Sequence, residues 1–206
     1  MNSGNVFLKI EPAQDRGWAV VQRITDVTLE LLARDGMDAV NTNVIADMAG
    51  ITPPSLYRFF ANKQAIFAYI LENWLSEIQG VYRRYDSDEE LLALPWNEFF
   101  DSILQEWSVP GNREKTIVWD AIIESDENLK SLDDKHFAQH SRFMFKHFRR
   151  LGARGSEAEW ETHSYYAYFV QDYVEAMAEK MPKKKGQSLK DFHRRSFVTA
   201  LEPLFA

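Results

Sequence analysis

The chain contains no cysteine. That absence excludes a disulfide scaffold, a thiol nucleophile and cysteine-bound metal. No apolar run approaches the roughly 20 residues that a membrane span requires, so no membrane partner is expected. The opening stretch, MNSGNVFLKIEPAQDRG, has no basic segment leading into an apolar core. No secretory leader is expected from it, and a cytoplasmic location is. Excess positive charge is missing too: 24 Lys and Arg stand against 31 Asp and Glu, a net charge of −7. This balance argues against a protein that coats nucleic acid regardless of sequence, but leaves room for a reader with one small neutral or basic face. A nucleophile–base–orienter set, a paired-carboxylate motif and a glycine-rich phosphate loop are all lacking, so no enzyme and no cofactor are expected. What is present is core material. The 206 residues are 45% hydrophobic and 14% aromatic, enough to fold as one or two domains and too apolar for disorder.

Helical spacing dominates. Val20, Ile24, Val27 and Leu31 fall on one face, with Val21, Thr28 and Leu32 beside them, and Gly36 stands where a helix would end. Three shorter elements follow. Thr42 is placed to cap a segment carrying Ile45, Ala46 and Ala49, which stops at Gly50. Thr52 is placed to cap a second, with Pro53 at its first position, where a missing N–H costs nothing. Asn62 precedes a longer helix whose inner face holds Ile66, Phe67, Ile70, Leu71, Trp74 and Ile78. Further helices are marked by Trp96–Trp107, by Val118, Ala121 and Ile122, and by Phe137, His140, Met144 and Phe148. The spacing predicts another over 157–181 and a last one carrying Leu189, Phe192, Ser196, Ala200 and Leu204. The expectation is an all-α fold of about nine helices. A three-helix helix-turn-helix domain over 15–62 precedes a larger helical bundle over 63–206.

The informative stretch is TNVIADMAGITPPSLYRFFANK, residues 42–63. A short helix, a glycine turn and a second short helix, with a first helix to pack on, make a helix-turn-helix. Ala46 and Ala49 permit close approach, Gly50 supplies the turn, and Ile51 and Leu56 plug a small core. This string resembles the TetR family of bacterial transcriptional regulators, whose pattern is met by Thr42, Ile45, Ala46, Ala49, Gly50, Ile51, Thr52, Leu56, Tyr57, Phe60 and Lys63. The strong resemblance covers residues 20–67. It implies that Thr42, Tyr57 and Lys63 contact DNA phosphates. It also implies that Asn43, Pro53, Pro54 and Ser55 lie where bases are reached, and that Arg58 makes a backbone or base contact; Thr52 adds a short donor near the N-terminus of the second helix, suited to DNA. Pro53 and Pro54 depart from the family pattern, leaving Ser55, Asn43 and Arg58 as the main polar readers; the prolines can still touch a thymine methyl.

The resemblance further implies a ligand-responsive regulator, a repressor, that binds a palindromic double-stranded DNA operator as a homodimer and is released by a small-molecule effector. The alternative is a protein of the same fold that binds a partner and no DNA. Two features motivate it, the paired prolines and an acidic N-terminal balance of six Lys and Arg against eight Asp and Glu over residues 1–75. Over residues 39–70, Arg58 and Lys63 face Asp47 alone, so the reading face itself is weakly basic.

For the bundle, pairing fits residues 157–205, because a helix apolar on several sides needs cover on several sides. Sensing fits Phe100, Leu104, Trp107, Trp119, Ile123, Phe137, Phe143 and Tyr166, which suit an apolar, flat or acyl-chain ligand. His136, His140 and His147 share one helix face, with Asp133 nearby. Phe137, Phe143 and Met144 surround them, so a solvated or core-edge stripe is expected and no metal. Lys183–Lys185 is expected to be a solvated turn at a helix C-terminus. The mixed composition of residues 1–14 hints at a flexible arm, and the sequence leaves open whether they are ordered.

Overall fold

A computed structural model describes residues 7–107 and 112–205, apart from the side chains of Trp107, residues 112–117, Tyr168, Phe169 and Asp172. Among the described residues the chain is all α, with ten α-helices, one 3-10 turn and no strand. The helices are α1 (Asp15–Asp35), α2 (Thr42–Met48), α3 (Pro53–Phe59), α4 (Lys63–Ser87), α5 (Glu89–Leu92), α6 (Trp96–Trp107), α7 (Asn112–Ile123), α8 (Glu127–Arg150), α9 (Glu157–Glu179) and α10 (Lys183–Phe205). They form two compact units. The first runs to Gln79 and takes in Ile117–Leu132; the second holds Gly80–Thr116 and resumes at Asp133.

In the first unit, α1 buries Val21, Ile24, Thr25, Val27, Thr28, Leu31 and Leu32. Val20, which shares the expected face, is half-buried: the inner stripe is turned one residue from the expected one. The Thr28 hydroxyl is fully buried yet costs little, because it donates to the Ile24 carbonyl one turn back. Gly36 ends α1 at φ 78°, a left-handed conformation that a β-carbon would oppose, and its N–H caps the Leu32 carbonyl. The cap of α2 is Asn41, not Thr42. The Asn41 Oδ1 accepts from the N–H groups of Asn43 and Val44 at 3.1 and 3.0 Å, and Thr42 becomes the first helical residue. Gly50 makes the turn at φ 64°. The core is almost wholly apolar, built from Ile24, Leu31, Ile45, Leu56, Phe60, Ile66 and Phe67. Trp74 stacks on Trp119 with ring centroids 5.7 Å apart. Each such side chain contributes about 1.5–3 kcal/mol by leaving water.

Residues 7–14 are part of this unit rather than a loose arm. Phe7 and Leu8 pack against its core, and Pro12 lies beneath Gly17, where a β-carbon would come within 2.8 Å.

The second unit is an aromatic bundle. Phe148 stacks on Trp160 at 4.5 Å, Phe100 stacks on Phe197 at 4.5 Å, and Trp96 stacks on Phe205 at 4.3 Å. Glu159 and Ser156 form a reciprocal capping box that starts α9. Gly186 lets α10 approach α9, because a β-carbon there would sit 2.3 Å from the Ala178 carbonyl oxygen. Ion pairs from Lys190 to Glu175 and from Arg194 to Asp101 tie α10 to α9 and α6.

Two expectations are corrected here. The buried stripe of α10 is Gly186, His193, Phe197 and Leu201, whereas Phe192, Ser196 and Ala200 face outward. Both stripes repeat at three and four, and only packing against α9 selects between them. Lys183–Lys185 is the first turn of α10 rather than a turn closing α9. Lys180, the cap of α9, with Met181 and Pro182 makes the whole connection between the two helices.

Candidate nucleic-acid interface

Eight of the nine residues expected at the DNA face lie on α2, α3 or the start of α4, and Thr52 precedes α3 as its cap residue, all within the first unit. Asn43, Thr52, Pro53, Pro54, Tyr57 and Arg58 are exposed, while Thr42, Ser55 and Lys63 are half-buried. Leu56, Phe59 and Phe60 point inward, which forces their neighbours on α3 out. The structure brings Thr42 and Tyr57 together: their hydroxyls lie 2.8 Å apart and share one hydrogen bond. That bond joins α2 to α3 across the turn and leaves a lone pair and a proton for a phosphate oxygen. The Lys63 ammonium donates to the Val40 carbonyl at 3.3 Å, which parks a cation beside the start of α2.

The N-terminus of α3 departs from expectation in one respect. Thr52 occupies the cap position, but its hydroxyl bonds no backbone N–H. It pairs instead with the Ser55 hydroxyl at 2.9 Å. Pro54 removes one of the two N–H groups a cap would take, and the other, that of Ser55, goes to the Thr52 carbonyl at 2.9 Å. Thr52 and Ser55 thus hold each other. Arg23 closes the motif from α1, donating to the Ala49 carbonyl at 3.3 Å.

Three residues beside this face were not read from the sequence. Val44 and Met48 are exposed on α2, and both continue a helical pattern that looks internal. Lys9 is the third: its N–H donates to the Phe59 carbonyl at 2.8 Å and its ammonium to the Tyr57 carbonyl at 3.1 Å. No local pattern points to a contact 48 residues away.

The expected ligand-lining residues divide between the units. Trp119 and Ile123 belong to the first, Trp119 lying on Trp74 and Ile123 against the apolar core. The others belong to the second. Phe100 and Leu104 are buried, and Phe143 stacks on Tyr82 at 4.4 Å. Phe137 meets Tyr165 edge-on at 5.2 Å, and Tyr166, 45% exposed, stacks on Phe197 at 5.7 Å. The Trp107 side chain lies outside the described residues.

The histidine stripe is a buried row, not a solvated edge. His136, His140 and His147 are each at most 2% exposed. The Tyr82 hydroxyl and His140 Nδ1 share a hydrogen bond at 3.0 Å. His147 Nε2 donates to Asp86 at 2.7 Å while Arg150 donates to its Nδ1 at 3.4 Å, which fixes the neutral tautomer. Burial disfavours the imidazolium, pushing His136 down to about 4 and His140 to about 3, the latter with a smaller push from His136. For His147, burial outweighs the attraction of Asp86 and the shift is again downward. At Asp86 partial burial works the other way, but hydrogen bonds from Lys146 and His147 prevail and hold the carboxyl below its ordinary range. Among the described residues no cluster of three or more His, Asp and Glu is arranged to hold a metal ion. No described helix is long and apolar enough to cross a membrane.

Comparison with known proteins agrees with this geometry. Residues 24–70 match the model of the bacterial regulatory proteins of the tetR family. The HTH-type transcriptional repressor KstR2 of Rhodococcus jostii is 35% identical over 74 residues, 35% of this chain and 36% of that protein. The chain thus spans about a third of the length of the curated relatives it matches. Among solved structures, a transcriptional regulator from Rhodococcus sp. Rha1 superposes with a TM-score of 0.70 at 12% identity, over 90% of this chain and 98% of its own. The fatty acid degradation regulator FadR from Bacillus halodurans does so with a TM-score of 0.65, also at 12% identity, over 93% and 97%. These likenesses extend the shared fold through the helical bundle.

Proposed function

We propose that the chain, whose residues 24–70 match the tetR family, is a ligand-responsive transcriptional regulator that represses from a palindromic operator. Residues 15–62 read DNA; residues 63–206 pair two copies and sense a small molecule. The carrying observation is the exposed α3 joined to α2 by the Thr42–Tyr57 hydrogen bond, with Lys63 beside it. Tyr57, Thr42 and Lys63 hold phosphates, and Asn43, Ser55 and Arg58 read base edges.

Pairing uses 157–205. Tyr166, Tyr173 and Met177 form one exposed stripe of α9, and Phe192, with the small Ser196 and Ala200, faces outward from α10. A face of that size and apolarity is supportive of an isologous contact with a second copy, which supplies the second reading head that a palindrome requires. The effector is apolar or aromatic, and the second unit's Phe100, Leu104, Phe137, Phe143 and Tyr166 are the residues offered to it. It releases DNA by binding more tightly to the head spacing that does not fit the operator; equal affinity for both spacings would shift nothing.

The test is affinity selection of random and genomic double-stranded fragments on the purified protein at two salt concentrations, followed by sequencing. Enrichment of a palindrome supports the reading. No enrichment at either salt overturns it in favour of a partner-binding protein of the same fold.

A further inference from the structure

The last carbonyls of any helix have no partner within it. In α3 this matters more than usual, because the helix has only seven residues and begins with two prolines that supply no N–H. Its N-terminal end is held by no side-chain cap on the backbone, since the Thr52 hydroxyl is engaged with Ser55. At the other end, two of the orphan carbonyls are met by one residue from outside the motif. Lys9 gives its N–H to Phe59 and its ammonium to Tyr57. The ammonium also sits at the negative end of the helix, where a cation is favoured. Lys9 is itself anchored, because Phe7 and Leu8 pack on the core before it and Pro12 is buried after it.

We infer that Lys9 is a positioning residue for DNA reading: it latches the C-terminal end of α3 and so fixes the tilt at which that helix presents Ser55, Tyr57 and Arg58. This rests on α3 being the reading helix. Base readout is sensitive to tilt, and phosphate attraction much less so. The latch therefore acts on discrimination between operator and other DNA. Its ammonium is engaged with the Tyr57 carbonyl and does not bind a phosphate.

Two variants of the full chain test this. Lys9→Met removes the ammonium but keeps the stem and the backbone N–H; Lys9→Arg keeps a cationic donor. Hydrogen exchange comes first and needs no DNA. In Lys9→Met the amides at the end of α3, Phe59 and Phe60, should exchange faster while those of α1 are unchanged, and Lys9→Arg should restore them. Operator binding comes second. For Lys9→Met, operator affinity should fall about fivefold, the scale of one exposed hydrogen bond. Affinity for unrelated DNA should hold, as should the salt dependence. Unchanged exchange in α3 overturns the latch. A salt slope reduced by about one, with operator and unrelated DNA weakened alike, makes Lys9 a phosphate contact and also overturns it. If the wild-type chain retains no DNA while exchange responds as described, α3 is held by Lys9 but reads nothing. The proposed function and this inference then both fall, for a reason the exchange data keep separate.

Discussion

The two units keep their interiors differently. The first buries an apolar core in which, among the described residues, the buried polar side chains are Thr25 and Thr28, each bonded to a carbonyl of its own helix. The second buries Asp133, His136, His140, His147, Ser164, Gln171 and His193 among its aromatic rings. An apolar core of this kind fills one shape and resists deformation. A polar interior has to satisfy each buried group, and its stability then depends on protonation and on the exact placement of partners. Under the proposed function, the first design suits a reading head that meets DNA in one pose, and the second suits a bundle that favours one of two states according to a bound molecule.

The largest effect should come from breaking the apolar side of this contrast. Phe67→Ala empties a fully buried site and should cost about 3–5 kcal/mol in denaturant melts, with loss of the cooperative transition of the first unit. Acid should act on the second unit instead. His136 and His140 are neutral when folded but bind protons near pH 6.5 when unfolded. Their contribution is therefore complete above that pH and is lost as pH falls toward about 4, by up to about 3 kcal/mol per group. Hydrogen exchange between pH 6.5 and 4.5 should show protection falling in α8 while α1 and α2 hold, and His136→Gln should flatten that dependence.

Smaller effects sharpen the same comparison. Gly186→Ala forces a β-carbon against the Ala178 carbonyl and should cost about 1–3 kcal/mol. It should weaken pairing on a sizing column without touching exchange in the reading head. Asn41→Ala removes the cap of α2 and should cost about 1 kcal/mol, visible as a modest drop in melting temperature.

How legible each region was follows from the same difference. The helix-turn-helix could be read closely because its signals are local: Gly36 and Gly50 occupy positive-φ positions, Pro53 opens α3, and Ile45, Ala46 and Leu56 are buried as their spacing implies. A local ambiguity was Asn41-Thr42-Asn43, three good capping residues in a row, of which geometry selects the first. The bundle was less legible because its faces are set by distant partners. Phe192 and Phe197 lie on competing stripes of α10, and only Gly186 against Ala178 shows which one turns inward. The histidines looked polar enough for an edge, yet Tyr82 and Asp86, more than 50 residues earlier, supply the bonds that let them be buried. Lys9 lay outside every local pattern for the same reason.

The most direct measurement compares the wild-type chain with Tyr57→Ala and Lys63→Ala, each assayed for binding to its selected DNA and for mass in solution. Both variants should lose about tenfold or more in DNA affinity, with Lys63→Ala also lowering the salt slope by about one, while the dimer mass is unchanged. Undiminished affinity in both variants would contradict the assignment of α2 and α3 as the reading head.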